Sequence, residues 1–251
     1  MTAASLVRVA IAVAALLVIF FAVTSTAQIA VRRDAVVAAA RAAVQLALVA
    51  LVIAWVFRHP GAVAVYLPVM VLAAAETAAR RTGLGRSALL ALIVAIVAGA
   101  AAALVPVLAS GALALRAQTV LPFAAQVIGG AMTAASLTGS RLQDDARAQW
   151  HLVEGRLALG ATPRQAATPL ARHAAARALV PAIDQTRSAG LVTLPGAFVG
   201  LLLGGASPAL AAQVQLLVLV GLLAAEAVTA AITAHLLAGR IGARRPAPVA
   251  G

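Results

Sequence analysis

Long apolar runs alternate with short basic breaks along almost the whole chain, and one break is far longer than the others. A helix needs about 20 consecutive apolar residues to cross the hydrocarbon of a bilayer. On that measure the pattern predicts an all-α integral membrane protein with seven spans, at about 6–23, 35–57, 62–79, 87–109, 120–139, 191–206 and 213–237. Pro68, Gly99 and Pro106 are tolerable inside them, because neighbouring helices absorb the irregularity. One transmembrane domain is expected over 1–251, closed by a short disordered tail with Arg240, Arg244, Arg245, Pro246 and Pro248. The first run has a second reading as a cleaved signal peptide, since Ser25-Thr26-Ala27 supplies small residues. Cleavage would leave Arg32 and Arg33 outside, against the charge pattern below.

Composition agrees with lipid as solvent. Hydrophobic residues make up 63% and charged residues 10%, which a soluble domain of 251 residues could not fold around. The net charge of +12 does not point to nucleic acid, because the arginines lie between apolar runs and few aromatics accompany them. Their placement orients the chain instead. One set of alternate breaks holds Arg32 and Arg33, Arg80, Arg81 and Arg86, the seven arginines from Arg141 to Arg187, and Arg240, Arg244 and Arg245. The other set holds Arg8, Arg58 and Arg116. The positive-inside rule puts the first set in the cytoplasm, with the N-terminus outside and the C-terminus inside.

The long break, about 140–190, is then a cytoplasmic loop, and too long to be structureless. Leu142, Trp150, Leu152, Val153 and Leu157 recur at spacings compatible with a helical apolar stripe. Asp144, Asp145 and Glu154 alternate with Arg141, Arg147 and Arg156, as on a solvated face. Thr162-Pro163 reads as a cap and first-turn proline that start a second helix. Pro169 is expected to bend or shorten it, and Arg164, Arg172 and Arg177 to line its polar side. Two short helices in such a loop form a plug for a groove in a partner. Glu154 precedes Gly160 by six residues, the spacing of the Glu-Ala-Ala-x-x-x-Gly loop by which ABC permeases grip their ATPase. A glycine there lets the chain turn with positive φ. The same spacing suits a solvated helical hairpin without a partner, which stays the alternative.

From Gly129 to Arg240 the chain resembles the permease of Fet-type iron-export ABC transporters, a family that includes plant aluminium-tolerance permeases. The matching runs are Gly129-Gly130-Ala131-Met132, Leu157-Ala158-Leu159-Gly160-Ala161-Thr162-Pro163, Arg172, Arg177-Ala178-Leu179-Val180-Pro181 and Gly190-Leu191-Val192-Thr193-Leu194-Pro195-Gly196. Arg41 with Val44-Gln45-Leu46, and Met70 with Ala73-Ala74, are similar more loosely. The resemblance implies an exporter permease, two copies with two separate ATPase subunits. It makes Glu154, Leu157, Leu159, Gly160, Pro163, Arg172 and Arg177 the coupling residues. Three positions depart from the pattern. Gln126 stands where the family carries Met, Gly130 where it carries Asn, and Ala197-Phe198 where it usually carries Met-Met. Thioether sulfur suits a thiophilic metal, and this chain keeps only Met1, Met70 and Met132, so fold and partner transfer better than substrate.

Transport driven by this chain alone is not expected. A P-loop needs a Lys, and every basic residue here is Arg, so ATP and its Mg belong on a partner subunit. There is no Cys and no H-E-x-x-H, and His59, His151, His173 and His235 lie in different segments. No enzyme activity or cofactor is therefore expected of the chain itself. Glu226, inside the seventh span with Thr229 and Thr233 beyond it, is the candidate for a polar path; a protonated Glu packed between helices is the plain alternative. Arg41 and Glu76 either snorkel to the interface or pair with each other. Gly196, Gly200 and Gly204 recur every four residues beside Pro195, which suits helix packing or a broken helix at a transport site. The fifth-span surface at Gly129-Gly130 would match it. A channel or secondary carrier using Glu226 remains the other functional class.

Overall fold

The computed structural model describes residues 3–28 and 32–243, and they are helical nearly throughout. Of the expected disordered tail, Arg240 instead lies in the last turn of the final helix, whose apolar run carries it on to Gly242, while Arg244, Arg245, Pro246 and Pro248 lie outside the described residues. The chain divides into two compact units, 1–58 and 59–251.

The first unit holds α1 (Ala3–Thr26) and α2 (Arg32–Arg58). Apolar side chains stand exposed around α1 (Val7, Ile11, Leu16, Val18) and α2 (Val44, Leu46, Leu51), as expected of helices that lipid surrounds. The hydroxyls of Thr24 and Ser25 at the end of α1 donate back to the carbonyls of Phe20 and Phe21, so they present no unpaired polar group.

The second unit contains α3 (Val63–Arg81), α4 (Leu89–Ala109), α5 (Ala117–Ala148), α6 (Trp150–Ala158), α7 (Pro163–Ser188), α8 (Gly196–Leu203) and α9 (Pro208–Gly242). Single 3₁₀ turns at Pro60–Ala62 and Gly85–Ala88 lead into α3 and α4. Among the described residues, six helices are long and apolar enough to cross a membrane: α1, α2, α3, α4, α5 and α9. The run expected to be the sixth span folds otherwise. Its helix, α8, has eight residues, about 12 Å at 1.5 Å per residue.

The axis of this unit is α9, which packs against α4, α5, α7 and α8. Contacts along it fix the directions of its neighbours. Gly99 of α4 meets Thr229, while Ser87, before α4, accepts a hydrogen bond from Arg240, so α4 runs antiparallel to α9. Gly130 of α5 meets Glu226 and Gly139 meets Leu237, so α5 runs parallel to it. Two parallel neighbours in one chain need a return leg. That leg is α7: Pro163 touches Gly242, Arg164 touches His235, and Ala171 and Ala175 face Ala231 and Ala234 across one groove.

The segment expected to be a loop is therefore largely part of the bundle. Ala166, Ala167, Leu170, Ala171, Ala174, Ala178 and Ala182 form a buried seam along α7; Arg164, Arg172, Asp184 and Arg187 lie on its exposed sides, and Arg177 is half-buried. Pro169 does not shorten the helix, which continues through it and through Pro181 to Ser188. Both prolines sit on the exposed side, where loss of an N–H is least costly, while the alanine seam holds both halves in place. Small residues make the close approaches throughout. A Cβ added at Gly99 would lie 2.5 Å from the Ala225 carbonyl, and one at Gly242 would lie 2.0 Å from that of Pro163.

Candidate functional site

The end of α5 and the start of α7 enclose the candidate coupling element. Trp150 and Val153 of α6 are buried in the same core as Leu142 and Ala146 of α5 and Ala166, Ala167 and Leu170 of α7. They anchor a helix of only nine residues, too short to be stable alone. α6 ends in a Schellman arrangement. The Ala161 amide donates to the Arg156 carbonyl at 3.0 Å, and the Gly160 amide to that of Leu157 at 2.9 Å. Gly160 has φ +88°, which a β-branched residue strongly resists.

Two residues later α7 begins with a full capping box. The Thr162 hydroxyl accepts from the Gln165 amide at 3.3 Å, the Gln165 side chain accepts from the Thr162 amide at 2.9 Å, and Pro163 occupies the first turn. The two helices thus meet through a short, internally bonded corner. Its tip carries Leu159, 88% exposed, with Leu152 and Glu154 also exposed and Leu157 half-buried.

Behind the corner stands a polar cluster that the sequence pattern misplaced. Asp145 was expected on a solvated face, yet it is buried against α7. One guanidinium nitrogen of Arg177 lies 2.6 Å from both of its carboxylate oxygens, and His173 Nδ1 lies 3.6 Å from Oδ2. Pro181 has no N–H to give to the Arg177 carbonyl four residues back, and the Arg141 side chain donates to that carbonyl instead. Arg156 reaches from α6 to the Ala166 carbonyl of α7 at 3.2 Å. Arg177 therefore sits at the base of the hairpin, and Arg172 lies apart from it on the groove shared with His235. Thirty-two residues separate Asp145 from Arg177, so no local spacing announced the pair. The anchoring role of Trp150 was visible in the expected apolar stripe, of which Leu142, Trp150 and Val153 are buried while Leu152 is exposed and Leu157 half-buried.

The expected path residues divide into two groups. Along α5, Gln126 is exposed, a Cβ at Gly129 would meet nothing within 4 Å, and Thr133 is exposed with its hydroxyl bonded to the Gly129 carbonyl. Met132 is half-buried and packs against the core instead. At α8, Gly196 and Gly200 also face open space, and Gly204 approaches only the carbonyls of its own helix. Their four-residue repeat thus packs against no other helix among the described residues. Pro195 precedes α8 as its cap residue, and the third amide of that helix, at Phe198, donates to the buried Gln215 side chain of α9 at 3.1 Å.

The second group is internal. Glu226 is buried on the α9 face that meets α5, where a Cβ at Gly130 would lie 2.8 Å from its Oε1. The position where the family's pattern has Asn is thus the one that leaves room for this carboxylate. Thr229, one turn on, donates to the Ala95 carbonyl at 3.2 Å, and the Thr233 hydroxyl is buried with no partner among the described residues. Glu76 is not part of this interior, since it pairs with Arg80 on its own helix at 3.0 Å. No group of three or more His, Asp or Glu among the described residues is placed to hold a metal.

Comparison with known proteins decides the family. The profile described as "Uncharacterised protein family (UPF0014)" matches residues 7–241. The chain belongs to the UPF0014 family. Among curated relatives, the rice "UPF0014 membrane protein STAR2" is 32% identical over 228 residues, covering 90% of this chain and 80% of that protein. The Escherichia coli "Probable iron export permease protein FetB" is 30% identical over 223 residues, covering 88% and 86%. "Protein ALUMINUM SENSITIVE 3" of Arabidopsis is 40% identical over 116 residues, 46% of this chain and 42% of its own. The resemblance drawn from the Leu-Ala-Leu-Gly-Ala-Thr-Pro run is thus borne out, and the chain is a multi-pass membrane protein of a permease family. No solved structure matches the chain.

Proposed function

We propose that this chain is the membrane subunit of an ABC exporter, working as a homodimer and driven by a separate ATPase that binds ATP and Mg. One observation carries the reading. The α6–α7 corner presents an exposed leucine, Leu159, at its tip and an exposed carboxylate, Glu154, on the α6 helix that leads to it, and α7 continues without a break into the bundle that would house the path. A push on the corner is therefore a push on a helix packed along both α5 and α9. The relative named as a probable iron export permease supports export of iron, another metal or a small solute as cargo.

The parallel course of α5 and α9 supports seven crossings rather than six, because the chain must return between them through α7 and α8. Arginine placement supports the orientation. Arg80, Arg81, Arg86, Arg147, Arg156, Arg164 and Arg240 cluster where α3, α5 and α9 end and α4 and α7 begin, with Arg116 at the opposite end of α5. We place the first end in the cytoplasm of a bacterium, with the N-terminus outside. An exposed glutamine on a lipid-crossing helix is costly, so the Gln126–Gly129–Thr133 side of α5 faces the path or the second copy, as do the open glycines of α8. Buried Glu226 favours a second reading, an ATP-independent carrier.

Gly160→Val and Glu154→Arg test the coupling role. Both variants should insert into the membrane normally yet lose co-purification of the ATPase and its stimulation by substrate. Full coupling in both would remove the hairpin from the mechanism and leave the carrier reading.

A further inference from the structure

A groove of about 460 Å³ opens between the start of α4, the first turn of α7 and the last turns of α9. Its walls are Leu90, Ala91, Val94 and Leu236, with Gly239 at one side, and its charged groups are Arg164 and Arg240. No acidic residue lines it. Neither arginine has a carboxylate partner among the described residues: Arg164 donates to His235 Nε2 at 3.3 Å, and Arg240 donates to the Ser87 carbonyl. Neither guanidinium is therefore offset by a carboxylate, and both have donors to spare at the groove. A second groove, of about 340 Å³, carries Arg172 and His235.

The apolar and charged parts of the first groove are ordered along one direction. The basic end coincides with the 3₁₀ turn Gly85–Ala88, where the polar connection ends and the apolar run of α4 begins. Away from it, the exposed Leu90, Val94 and Val97 continue as one stripe along α4. A cationic pair at the level of the basic band, opening onto an apolar stripe that runs into the bilayer, matches a molecule with an anionic head and a hydrocarbon tail. Free phosphate would use the arginines and leave the stripe idle; a soluble acidic peptide would do the same.

We infer that this groove binds an anionic phospholipid, with its phosphate between Arg164 and Arg240 and its acyl chain along Leu90, Val94 and Val97. Basic pockets between transmembrane helices on the cytoplasmic side are suited to such headgroups. Arg164 is the first residue after Pro163 at the start of α7, so the lipid would brace the helix that carries the coupling corner. The inference does not depend on an ATPase partner and holds for a carrier as well.

The test uses the full chain purified in detergent, with native mass spectrometry to count retained phosphatidylglycerol or phosphatidylcholine. Phosphatidylglycerol should be retained preferentially. Each of Arg164→Ala and Arg240→Ala should weaken its retention about five-fold, and the pair about thirty-fold, from the usual gain per basic residue near an anionic lipid. Arg187→Ala, at the far end of α7, should change nothing. Inorganic phosphate at millimolar concentration should not displace the lipid. Equal retention of both lipids, unchanged retention in the double variant, or displacement by phosphate alone would each overturn the assignment. A photoactivatable phosphatidylglycerol on the unaltered protein gives an answer independent of how variants fold. Crosslinks should map to 89–97 or 236–243, and crosslinks confined to other segments would place the lipid elsewhere.

Discussion

Arg177 holds both carboxylate oxygens of Asp145 at 2.6 Å through a single nitrogen, joining the end of α5 to the middle of α7. The pair is asymmetric: the Asp145 side chain is 12% exposed and that of Arg177 is 42%. Loss of the carboxylate leaves an arginine that water can reach. Asp145→Ala should therefore cost about 1–2 kcal/mol, below the 3–5 of a fully buried pair. A double-mutant cycle with Arg177→Ala, read as melting temperature in detergent, should give a coupling of about 1 kcal/mol. Additive effects would mean that the two side chains do not meet.

Glycine positions should split sharply by neighbour. A Cβ at Gly99 would lie 2.0 Å from Thr229 Oγ1 and 2.5 Å from a backbone carbonyl. Gly99→Ala should destabilise by about 3 kcal/mol or more, since the carbonyl has nowhere to move. Gly200→Ala meets nothing within 4 Å, and should leave the melting temperature unchanged or raise it slightly. Equal melting temperatures for the two variants would refute the close crossing of α4 and α9.

Trp150 offers a change of sign. Its ring is buried, and its Nε1 has no hydrogen-bond partner among the described residues. Trp150→Phe deletes the unsatisfied donor along with some contacts, so its net effect should stay within about 1 kcal/mol. Trp150→Ala should cost about 3–5 kcal/mol through the cavity it leaves. If Phe is as damaging as Ala in thermal unfolding, the indole nitrogen has a partner.

Topology can be read chemically because the chain has no cysteine. An impermeant thiol reagent added to intact cells should label Ser110→Cys and Ser207→Cys, both exposed, and should leave Ala158→Cys untouched. Labelling at position 158 from outside would invert the proposed orientation.

Local signals carried the corner. Glycine with positive φ at 160, Thr162 as cap and Pro163 in the first turn all act within a few residues, so the sequence pattern suffices. The extended helices followed from apolar length for the same reason. What stayed illegible depends on distant neighbours. Asp145 stands among charges and looks solvated until Arg177 is brought against it. α7 reads as a polar loop helix because its buried side is alanine, which carries little hydrophobic signal. Glu226 gives no hint that Gly130 faces it, since the missing side chain belongs to another helix.

The alanine seam of α7 against α9 has a mechanical corollary. Methyl groups have no rotamers and form no interlocking knobs, so a slip of one helical turn would again put alanine beside alanine. Close approach is secured, but position along the seam is not indexed by shape. The indexing is done by pins at its sides: Arg177 on Asp145, Arg141 on the carbonyl that Pro181 leaves free, and Arg164 on His235. A hard stop lies where Gly242 meets the Pro163 carbonyl. The register of the longest link between corner and bundle is thus held by a few polar contacts on a smooth track.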